Sequence, residues 1–381
     1  MGMFSTLTGG PSLLGLDIGS QSIKLVQFEQ TREGLAVRRA GSTPTPKDAL
    51  RNGAVADTVA VAEAISSLLE ALNVDVDTAV TAVSGPTVVV RQVQLPVMSE
   101  KVLRKSIQWE ARNYISFPVE DSIVEFQIVS NGHSSDPGKM DVMIVACPRD
   151  MVDSRVEALE LAGLEPTAVE IEPFATVRSL VEWSGDAELA NQTVALVGIG
   201  AAYADINIVK DRSFVLSRVI PIAGNSFTEA IATTLSLTPE EANTLKETGL
   251  QLVTSEEERA TLDPMAQQAS RAVEPLLEEL TREVTRSLAY YDYQQQQPEA
   301  REEQGSVHRI ILSGGSAKLA NLDGYLRSQV NVPVTAPDVF SQGKVLAPAS
   351  SKNYLQEHAC ELVVSSGLAL REFMLTKATR H

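Results

Sequence analysis

LLGLDIGSQSIKLVQF, residues 13–28, is the stretch that decides the fold of this chain. Its apolar start predicts a β-strand, Gly19-Ser20-Gln21-Ser22 predicts a tight turn, and the segment from Ile23 to Phe28 predicts a returning strand. Such a turn presents successive backbone N–H groups and two hydroxyls to an anion, most often a phosphate. Gly19 lets the backbone approach this ligand without a Cβ in the way. An ordinary hairpin, with Gly and Ser serving the turn alone, explains the motif equally well.

Two charged residues flank this turn. Asp17 precedes it, where a carboxylate can hold a hydrated Mg²⁺ that bridges to phosphate oxygens. Lys24 follows it and is expected to point back over the turn. The first turn therefore predicts a phosphate site with Asp17 as its metal ligand.

The same pattern returns in the second half of the chain. TVALVGIGAAYADINIV, residues 193–209, again predicts a strand, a glycine turn and a strand, and each copy is followed by a third strand and a helix. Because an internal repeat is stronger evidence than one turn, we expect two related lobes. A third glycine turn lies at Ser313-Gly314-Gly315-Ser316. If the lobes face each other, two turns can hold phosphates and the third can hold the nucleoside.

The chain divides by its sequence patterns into two lobes, an insertion and a tail. Residues 87–166 differ from the repeat and predict a small α+β subdomain, whose helix carries Leu103, Ile107 and Ala111 at helical spacing. The predicted bounds are 13–86 and 167–190 for the first lobe, 87–166 for the inserted subdomain, 191–370 for the second lobe with a long helix over Pro264–Gln297, and 371–381 for a loose tail.

Composition restricts the environment and the partners. The chain has 381 residues with 32 Lys and Arg against 49 Asp and Glu, a net charge of −17. Such a charge disfavours nucleic acid and anionic lipid and favours a cationic partner. Cys147 and Cys360 form no metal-ligand spacing and fit a reducing compartment. Since no apolar run approaches the ~18 residues of a membrane span, we expect a cytoplasmic protein that reaches the membrane only through partners.

The repeat and its turns resemble the actin-like ATPase superfamily, an α/β class built from a ribonuclease H-like repeat in two lobes. Two longer segments resemble more specifically the PilM family of type IV pilus assembly, which is close to the cell-division protein FtsA. They are SGPTVVVRQVQLPVMSEKVLRKSIQWEARNYISFPVED at 84–121 and LLEELTREVTRSLAYYDYQ at 276–294. The resemblance extends from about Leu13 to Leu370.

The resemblance implies ATP with Mg²⁺ between the lobes. Matched to the family motifs, the residues are Asp17, Gly19, Ser20, Gln21, Ser22 and Lys24 for the first phosphate turn, Gly200 and Ala201 for the second, Gly314 and Gly315 for adenosine, and Asn243 and Lys246 beside the base and ribose.

The resemblance also implies a partner. The insertion matches the subdomain that FtsA and PilM share, and in the family the groove beside it takes the cytoplasmic N-terminal peptide of the membrane protein PilN. Cytoplasmic tails tend to be rich in Lys and Arg, which suits the net charge of −17. We offer Trp109, Arg112 and Tyr114 as the partner surface, with core packing of Tyr114 and Trp109 as the alternative.

Two departures from the family pattern concern the chemistry. The second phosphate motif usually reads Asp-Ile-Gly, and here it is Gly198-Ile199-Gly200, which puts hydrolysis in doubt. Asp205, on the following strand, is a candidate substitute, although alternation alone leaves its face open. Asn243 stands where the family often has Glu, which weakens the expected adenosine contacts.

These inferences predict an ATP-binding scaffold of the type IV pilus assembly platform at the inner face of the inner membrane, a weak ATPase at most. Its expected partners are a PilN-like protein and other pilus assembly proteins, and self-association stays open. One alternative is an FtsA-like polymerising division protein, but LREFMLTKATRH is too short for an amphipathic membrane helix. Another is a metabolite kinase, which needs a carboxylate base that no motif between the lobes provides.

Overall fold

The computed structural model describes residues 14–131, 138–184, 186, 188–295, 306–337, 339–340, 345–349, 351–371 and 373–374. Most of the predicted tail, 371–381, lies outside these residues. The chain forms two compact units, of which unit 1 comprises Met1–Ser84, Asp150–Ala190 and Pro337–His381, and unit 2 comprises Gly85–Arg149 and Asn191–Ala336. Within the described residues, no helix combines the length and apolar character needed to cross a bilayer.

Strands and helices are mixed along the chain. The first half contains β1 (Leu14–Ile18), β2 (Ser22–Gln30), β3 (Leu35–Pro44), β4 (Leu50–Arg51), β5 (Ala54–Val55), α1 (Thr58–Ala71), β6 (Thr78–Val83), β7 (Val89–Pro96), α2 (Glu100–Ala111), β8 (Ser122–Asn131), β9 (Lys139–Pro148), α3 (Arg149–Leu161), β10 (Glu165–Ile171) and α4 (Glu172–Val177). The second half contains β11 (Val194–Ile199), β12 (Ala204–Lys210), β13 (Ser213–Ile220), α5 (Gly224–Leu235), α6 (Pro239–Thr248), α7 (Glu256–Arg259), α8 (Pro264–Gln295), β14 (Arg309–Ser313), α9 (Leu322–Gln329), β15 (Val334–Thr335), β16 (Val345–Leu346), α10 (Lys352–Glu357) and α11 (Val363–Ala369).

Unit 1 contains a six-stranded sheet in the order β10-β6-β1-β2-β3-β16 and a small two-stranded sheet, β4-β5. β1 runs antiparallel to β2 and parallel to β6, and all five of its residues are buried. One face packs on α1 and α3 through residues such as Ile65 and Leu159, and the other packs on α4 and α11 through Ala175 and Leu368. Helices cover both faces, which explains why β1 is apolar along its whole length before Asp17.

Unit 2 contains a five-stranded sheet in the order β13-β12-β11-β14-β15. As in unit 1, the first strand lies between an antiparallel second strand and a parallel fourth strand. The predicted repeat is therefore confirmed at the level of strand order. α5 and α8 pack on this sheet, with Phe227, Leu277 and Leu280 fully or almost fully buried.

The inserted part of unit 2 is a three-stranded sheet, β7-β9-β8, with α2 on one face. Leu103, Ile107 and Ala111 of α2 pack against Met140 and Ile144 of β9, as their helical spacing predicts. α2 ends at Ala111. Pro118 disfavours a helical backbone at the residue before it, so the sequence predicts a later end, near Phe117-Pro118.

Two helices pack with a different part of the chain than the predicted bounds assign. α3 was expected in the inserted subdomain, but Ala158 and Leu159 pack under α1 in unit 1. α11 was expected in the second lobe, but its backbone lies directly against Gly15 of β1 and Ala175 of α4. Both helices bury apolar faces that the unit 1 sheet needs, which a division by sequence order does not reveal.

Two helix details also differ from the predictions. α1 begins at Thr58 after Asp57, whose carboxylate accepts a hydrogen bond from the Ala60 N–H at 3.0 Å. The apolar spacing predicts Val59, Ala62, Ile65 (or Ser66) and Leu69 along the buried face of this helix. Ala62 and Ile65 are buried as predicted, but Val59 is 57% exposed and Val61 is buried in its place. A serine is a common helix cap, so the sequence offers Ser226 as a candidate cap of α5. Ser226 instead lies inside the first turn of that helix, and Ala223 occupies the cap position.

Candidate functional site

The turn between β1 and β2 forms a small cradle in unit 1. The Gly19 N–H donates to the Ser22 carbonyl at 3.1 Å, and the Thr45 hydroxyl donates to the Gly19 carbonyl at 2.6 Å. The Lys24 Nζ donates to Asp17 Oδ2 at 3.1 Å and to the Ser22 carbonyl at 3.3 Å. A Cβ at Gly19 would lie 2.9 Å from Lys24 Nζ and 3.0 Å from that carbonyl. A side chain at position 19 would therefore have to push the Lys24 ammonium aside and crowd the Ser22 carbonyl.

The structure brings together the residues predicted for this turn. Asp17 and Lys24 are directly opposite in the β1–β2 register and form an ion pair with little exposure. Ser20 and Gln21 are exposed at the tip, and Ser22 starts the returning strand. Burial lowers the pKa of Lys24, but attraction to Asp17, with smaller contributions from Glu172 and Glu361, outweighs burial and raises the pKa above its ordinary value. Lys24 is therefore a fixed positive charge beside the turn.

Glu172 is a site residue that the sequence analysis missed. Burial raises its pKa to about 7, and the Asp17 carboxylate adds to the increase, whereas a hydrogen bond with Ser84 and the charges of Lys24 and Arg155 lower it. Asp17 lies near the end of β1, Ser84 directly follows β6 and Glu172 directly follows β10. β6 lies between β1 and β10 and runs parallel to both. Carboxyl ends of parallel strands meet at one edge of a sheet, where ligands commonly bind. The position of Glu172 directly after a predicted strand was the signal available in the sequence.

The second turn is held inside unit 2 by hydrogen bonds to its backbone. The Gly200 N–H donates to the Tyr203 carbonyl at 3.0 Å. The Gly200 carbonyl accepts from the Gly224 N–H and from the Ser316 hydroxyl, each at 3.0 Å. The Ala201 carbonyl accepts from the backbone N–H at the second position of α5 at 2.8 Å. The start of α5 and the third glycine turn are thus both fixed to the second turn.

The third turn depends on one glycine with a left-handed backbone. Gly314 has φ of 85°, and a Cβ there would lie 2.5 Å from the Ile199 carbonyl oxygen at the end of β11. Gly315 has open space around its Cβ position. The structure therefore places the third turn, predicted to bind adenosine, next to the second turn, predicted to bind phosphate. Ligand binding by each of the three turns stays a prediction.

Lys246 and Asn243 lie on α6 and bond to α5. Lys246 Nζ donates to Asn243 Oδ1 at 2.8 Å, to the Thr228 hydroxyl at 2.9 Å and to the Gly224 carbonyl at 3.3 Å. Burial lowers its pKa below the ordinary lysine value. Lys246 thus fastens α6 to the start of α5, whose Gly224 N–H in turn bonds to the second turn.

The predicted partner residues are exposed, so core packing is the wrong alternative for them. Trp109 is 68% exposed and Tyr114 is 38% exposed. The Arg112 guanidinium lies 5.1 Å above the centre of the Trp109 ring and pairs with Glu120 at 2.5 Å. Lys101 and Lys105 are exposed on the same helix, beside the exposed ion pair of Arg104 with Glu100.

Comparison with known proteins agrees with this geometry. A family model described as "Type IV pilus assembly protein PilM" matches residues 15–373. Cell division protein FtsA of Bacillus subtilis (strain 168) is 25% identical over 265 residues, which cover 61% of this chain and 57% of the relative. This match thus spans little more than half of the relative's length.

Solved structures share the fold over almost the whole chain. A structure described as "PilM-PilN type IV pilus biogenesis complex" has 29% identity and a TM-score of 0.79, and the match covers 94% of this chain and 98% of that one. MreB 5 of Spiroplasma citri bound to AMPPNP has 13% identity and a TM-score of 0.53, with 97% and 98% covered. The second likeness concerns the actin-like fold alone.

Proposed function

This chain belongs to the PilM family of type IV pilus assembly proteins, and from that premise we propose that it is an ATP-binding scaffold of the pilus assembly platform at the inner membrane. The observation that carries the proposal is the 29% identity to a PilM-PilN complex across 94% of the chain. We further propose that it binds the N-terminal peptide of a PilN-like membrane protein and so acts on the cytoplasmic side of the membrane.

The cradles of the two phosphate turns support nucleotide binding. A side chain at Gly19 would crowd atoms of the first turn, and a side chain at Gly200 would crowd atoms of the second. Lys24 supplies a buried positive charge beside the first turn, and Asp17 supplies a carboxylate for a hydrated Mg²⁺. Mg²⁺ would neutralise phosphate charge at the first turn. In the second turn, the backbone of Gly200 and Ala201 would supply contacts to phosphate.

Hydrolysis is proposed to be slow or absent. Glu172, with a pKa of about 7, is partly protonated near neutral pH and can hold or accept a proton beside Asp17. The second turn, however, carries Gly198 in place of the usual aspartate. A nucleotide would then act mainly as a bound ligand that stabilises one state of the scaffold.

The surface of α2 limits how a partner peptide can bind. Trp109 offers an exposed aromatic face, but Lys101 and Lys105 repel the basic residues of a cytoplasmic tail. We therefore propose that apolar residues of the tail contact Trp109 and Tyr114, and that its basic residues lie away from α2.

Two measurements on the full chain test the proposal. Calorimetry with ATP and Mg²⁺ is expected to give saturable binding, and no binding by folded protein would contradict the proposed nucleotide binding.

A labelled N-terminal peptide of a PilN-like protein is expected to bind, with affinity reduced at least tenfold by Trp109→Ala. Tyr293→Ala is the matched control, since Tyr293 is 71% exposed on α8 in the same unit. Equal loss in both variants would contradict the assigned surface.

A further inference from the structure

The ammonium group of Lys246 uses all three of its N–H donors inside unit 2. Lys246 is 9% exposed, and its Nζ donates to Asn243 Oδ1 at 2.8 Å. It also donates to the Thr228 hydroxyl at 2.9 Å and to the Gly224 carbonyl at 3.3 Å. An ammonium group has three donors and no acceptor. A polar contact of Lys246 with the base or ribose of a nucleotide would therefore have to replace one of these three bonds.

Two of the three acceptors belong to the start of α5. Gly224 is the first residue of this helix, and Thr228 lies one turn further along it. The Thr228 hydroxyl, which accepts from Lys246, itself donates to the Gly224 carbonyl at 3.1 Å. The ammonium on α6 and the hydroxyl on α5 thus meet at one carbonyl. Together they fix the position of the first turn of α5.

The start of α5 in turn fixes the peptide groups of the second glycine turn. The Gly224 N–H donates to the Gly200 carbonyl at 3.0 Å, and the Asn225 N–H donates to the Ala201 carbonyl at 2.8 Å. No peptide bond between described residues is cis, and in a trans peptide the C=O and the following N–H point in opposite directions. The N–H groups of Ala201 and Ala202 therefore point away from α5.

These two N–H groups are available to an anion. Among the backbone hydrogen bonds of the described residues, neither the Ala201 N–H nor the Ala202 N–H is a donor. Successive backbone N–H groups in a turn form a concave site that binds phosphate. The N–H groups of Gly224 and Asn225 are already used by the turn. The anion site is therefore the turn, and its direction depends on how α5 is held.

We propose that Lys246 is a positioning residue for phosphate binding by the second turn, and that it acts through the start of α5 without touching the nucleoside. The resemblance places Lys246 beside the base and ribose, whereas its bonds direct the ammonium to Gly224 and Thr228. Without the ammonium, the first turn of α5 and the two carbonyls that it holds gain freedom, and the phosphate-facing N–H groups lose their fixed direction. This inference rests on the proposed nucleotide binding and assigns a role within it.

The first variant is Lys246→Met, which keeps an apolar side chain of similar length but removes the ammonium. The measurement is calorimetry of ATP binding by the full chain in Mg²⁺. ATP affinity is expected to fall about tenfold, because the bonds that are lost involve a charged donor. Lys139→Met, which changes an exposed lysine of the same unit, should bind ATP as the wild type does.

Thr228→Val breaks the same connection from the side of α5, since valine keeps the shape of threonine but has no hydroxyl. It should weaken ATP binding about fivefold. If both side chains act through the start of α5, the double variant Lys246→Met/Thr228→Val should lose clearly less than the product of the two single losses. Thr228→Val also keeps the inference testable if Lys246→Met does not fold.

Hydrogen exchange without nucleotide tests the geometry directly. The amides of Gly224 and Asn225 are protected by their bonds to the second turn, so a peptide from the start of α5 should exchange faster in Lys246→Met and in Thr228→Val. Peptides from β11 and β14 should exchange as in the wild type. Lys139→Met should leave all of these peptides unchanged.

Different results separate this inference from the proposed function. Unchanged ATP affinity in Lys246→Met overturns the role of Lys246 while nucleotide binding stands. Weaker ATP binding with unchanged exchange at the start of α5 also overturns it, because the ammonium would then act on the nucleotide itself. Fully additive losses in the double variant, or faster exchange throughout unit 2, have the same consequence. A wild type that binds no ATP overturns the proposed nucleotide site, and the role of Lys246 in it.

Discussion

Replacing Glu172 with glutamine is expected to change how the stability of unit 1 depends on pH. Burial, followed by repulsion from Asp17, raises the pKa of the Glu172 carboxyl from the ordinary 4.5 to about 7. The two values differ by roughly 2.5 pH units, at ~1.4 kcal/mol per unit. The ionised carboxylate therefore lowers the free energy of unfolding by about 3 kcal/mol compared with the protonated form.

The direction of the effect follows from where the proton binds more tightly. The folded protein still holds the Glu172 proton at pH values above 4.5, where the unfolded chain has lost it. The contribution of this proton to the free energy of unfolding is therefore complete only below pH 4.5 and is lost as the pH rises to about 7. Between pH 5.5 and 8 the expected loss is about 2 kcal/mol. Glutamine does not titrate, so Glu172→Gln does not lose this contribution. From pH 5.5 to pH 8 its free energy of unfolding should rise by about 2 kcal/mol relative to that of the wild type.

Hydrogen exchange of the β1 and β6 peptides in increasing urea, without nucleotide, measures this change within unit 1. Comparing variant and wild type at the same pH cancels the intrinsic exchange rate and the titration of shared groups. Glu63→Gln removes an exposed carboxylate on α1 of the same unit and should keep the wild-type pH dependence. A difference between Glu172→Gln and wild type that is equal at pH 5.5 and pH 8 would refute the assignment of a near-neutral pKa.

Four further substitutions, one of them a control, test packing and hydrogen bonds by urea unfolding. Gly15→Ala sets a Cβ against the α11 backbone and should cost about 1–3 kcal/mol, whereas Gly315→Ala meets open space and should change stability by less than ~0.5 kcal/mol. Thr238→Ala removes the side-chain cap of α6 and should cost ~1 kcal/mol; no loss would show that the cap is replaced by water. Arg178→Lys keeps the charge but loses the two-point contact with Glu170 and should cost about 1–2 kcal/mol, while an unchanged midpoint would mean that charge alone matters.

The local patterns of the sequence were sufficient for the elements around the turns. Gly19-Ser20-Gln21-Ser22 predicts the β1–β2 turn, and Thr238 with Glu241 predicts the capping box of α6. Apolar residues at steps of three and four predict the buried stripe of α8. In each case hydrogen bonding or periodicity within a few residues determines the structure. These are the parts of the fold that a single sequence can predict.

The packing of α11 could not be predicted in the same way. Gly15 and Gly367 both lack room for a Cβ because α11 approaches β1 and α4 at backbone distance. The two glycines are far apart in the sequence, and nothing near either of them indicates the other. Glu172 was missed for a related reason, since its closeness to Asp17 depends on the strand order β10-β6-β1.

The face of Asp205 shows why alternation alone was insufficient for the candidate site. Side chains alternate along a strand, so a slip of one residue in the pairing exchanges the two faces. The length of the Gly200–Tyr203 turn sets that pairing, and it places Asp205 opposite Gly198. A turn one residue longer would pair Ala204 or Ile206 with Gly198 and direct the carboxylate to the face covered by α5 and α8. The charge of the second turn therefore depends on the length of the turn as much as on the presence of an aspartate in the next strand.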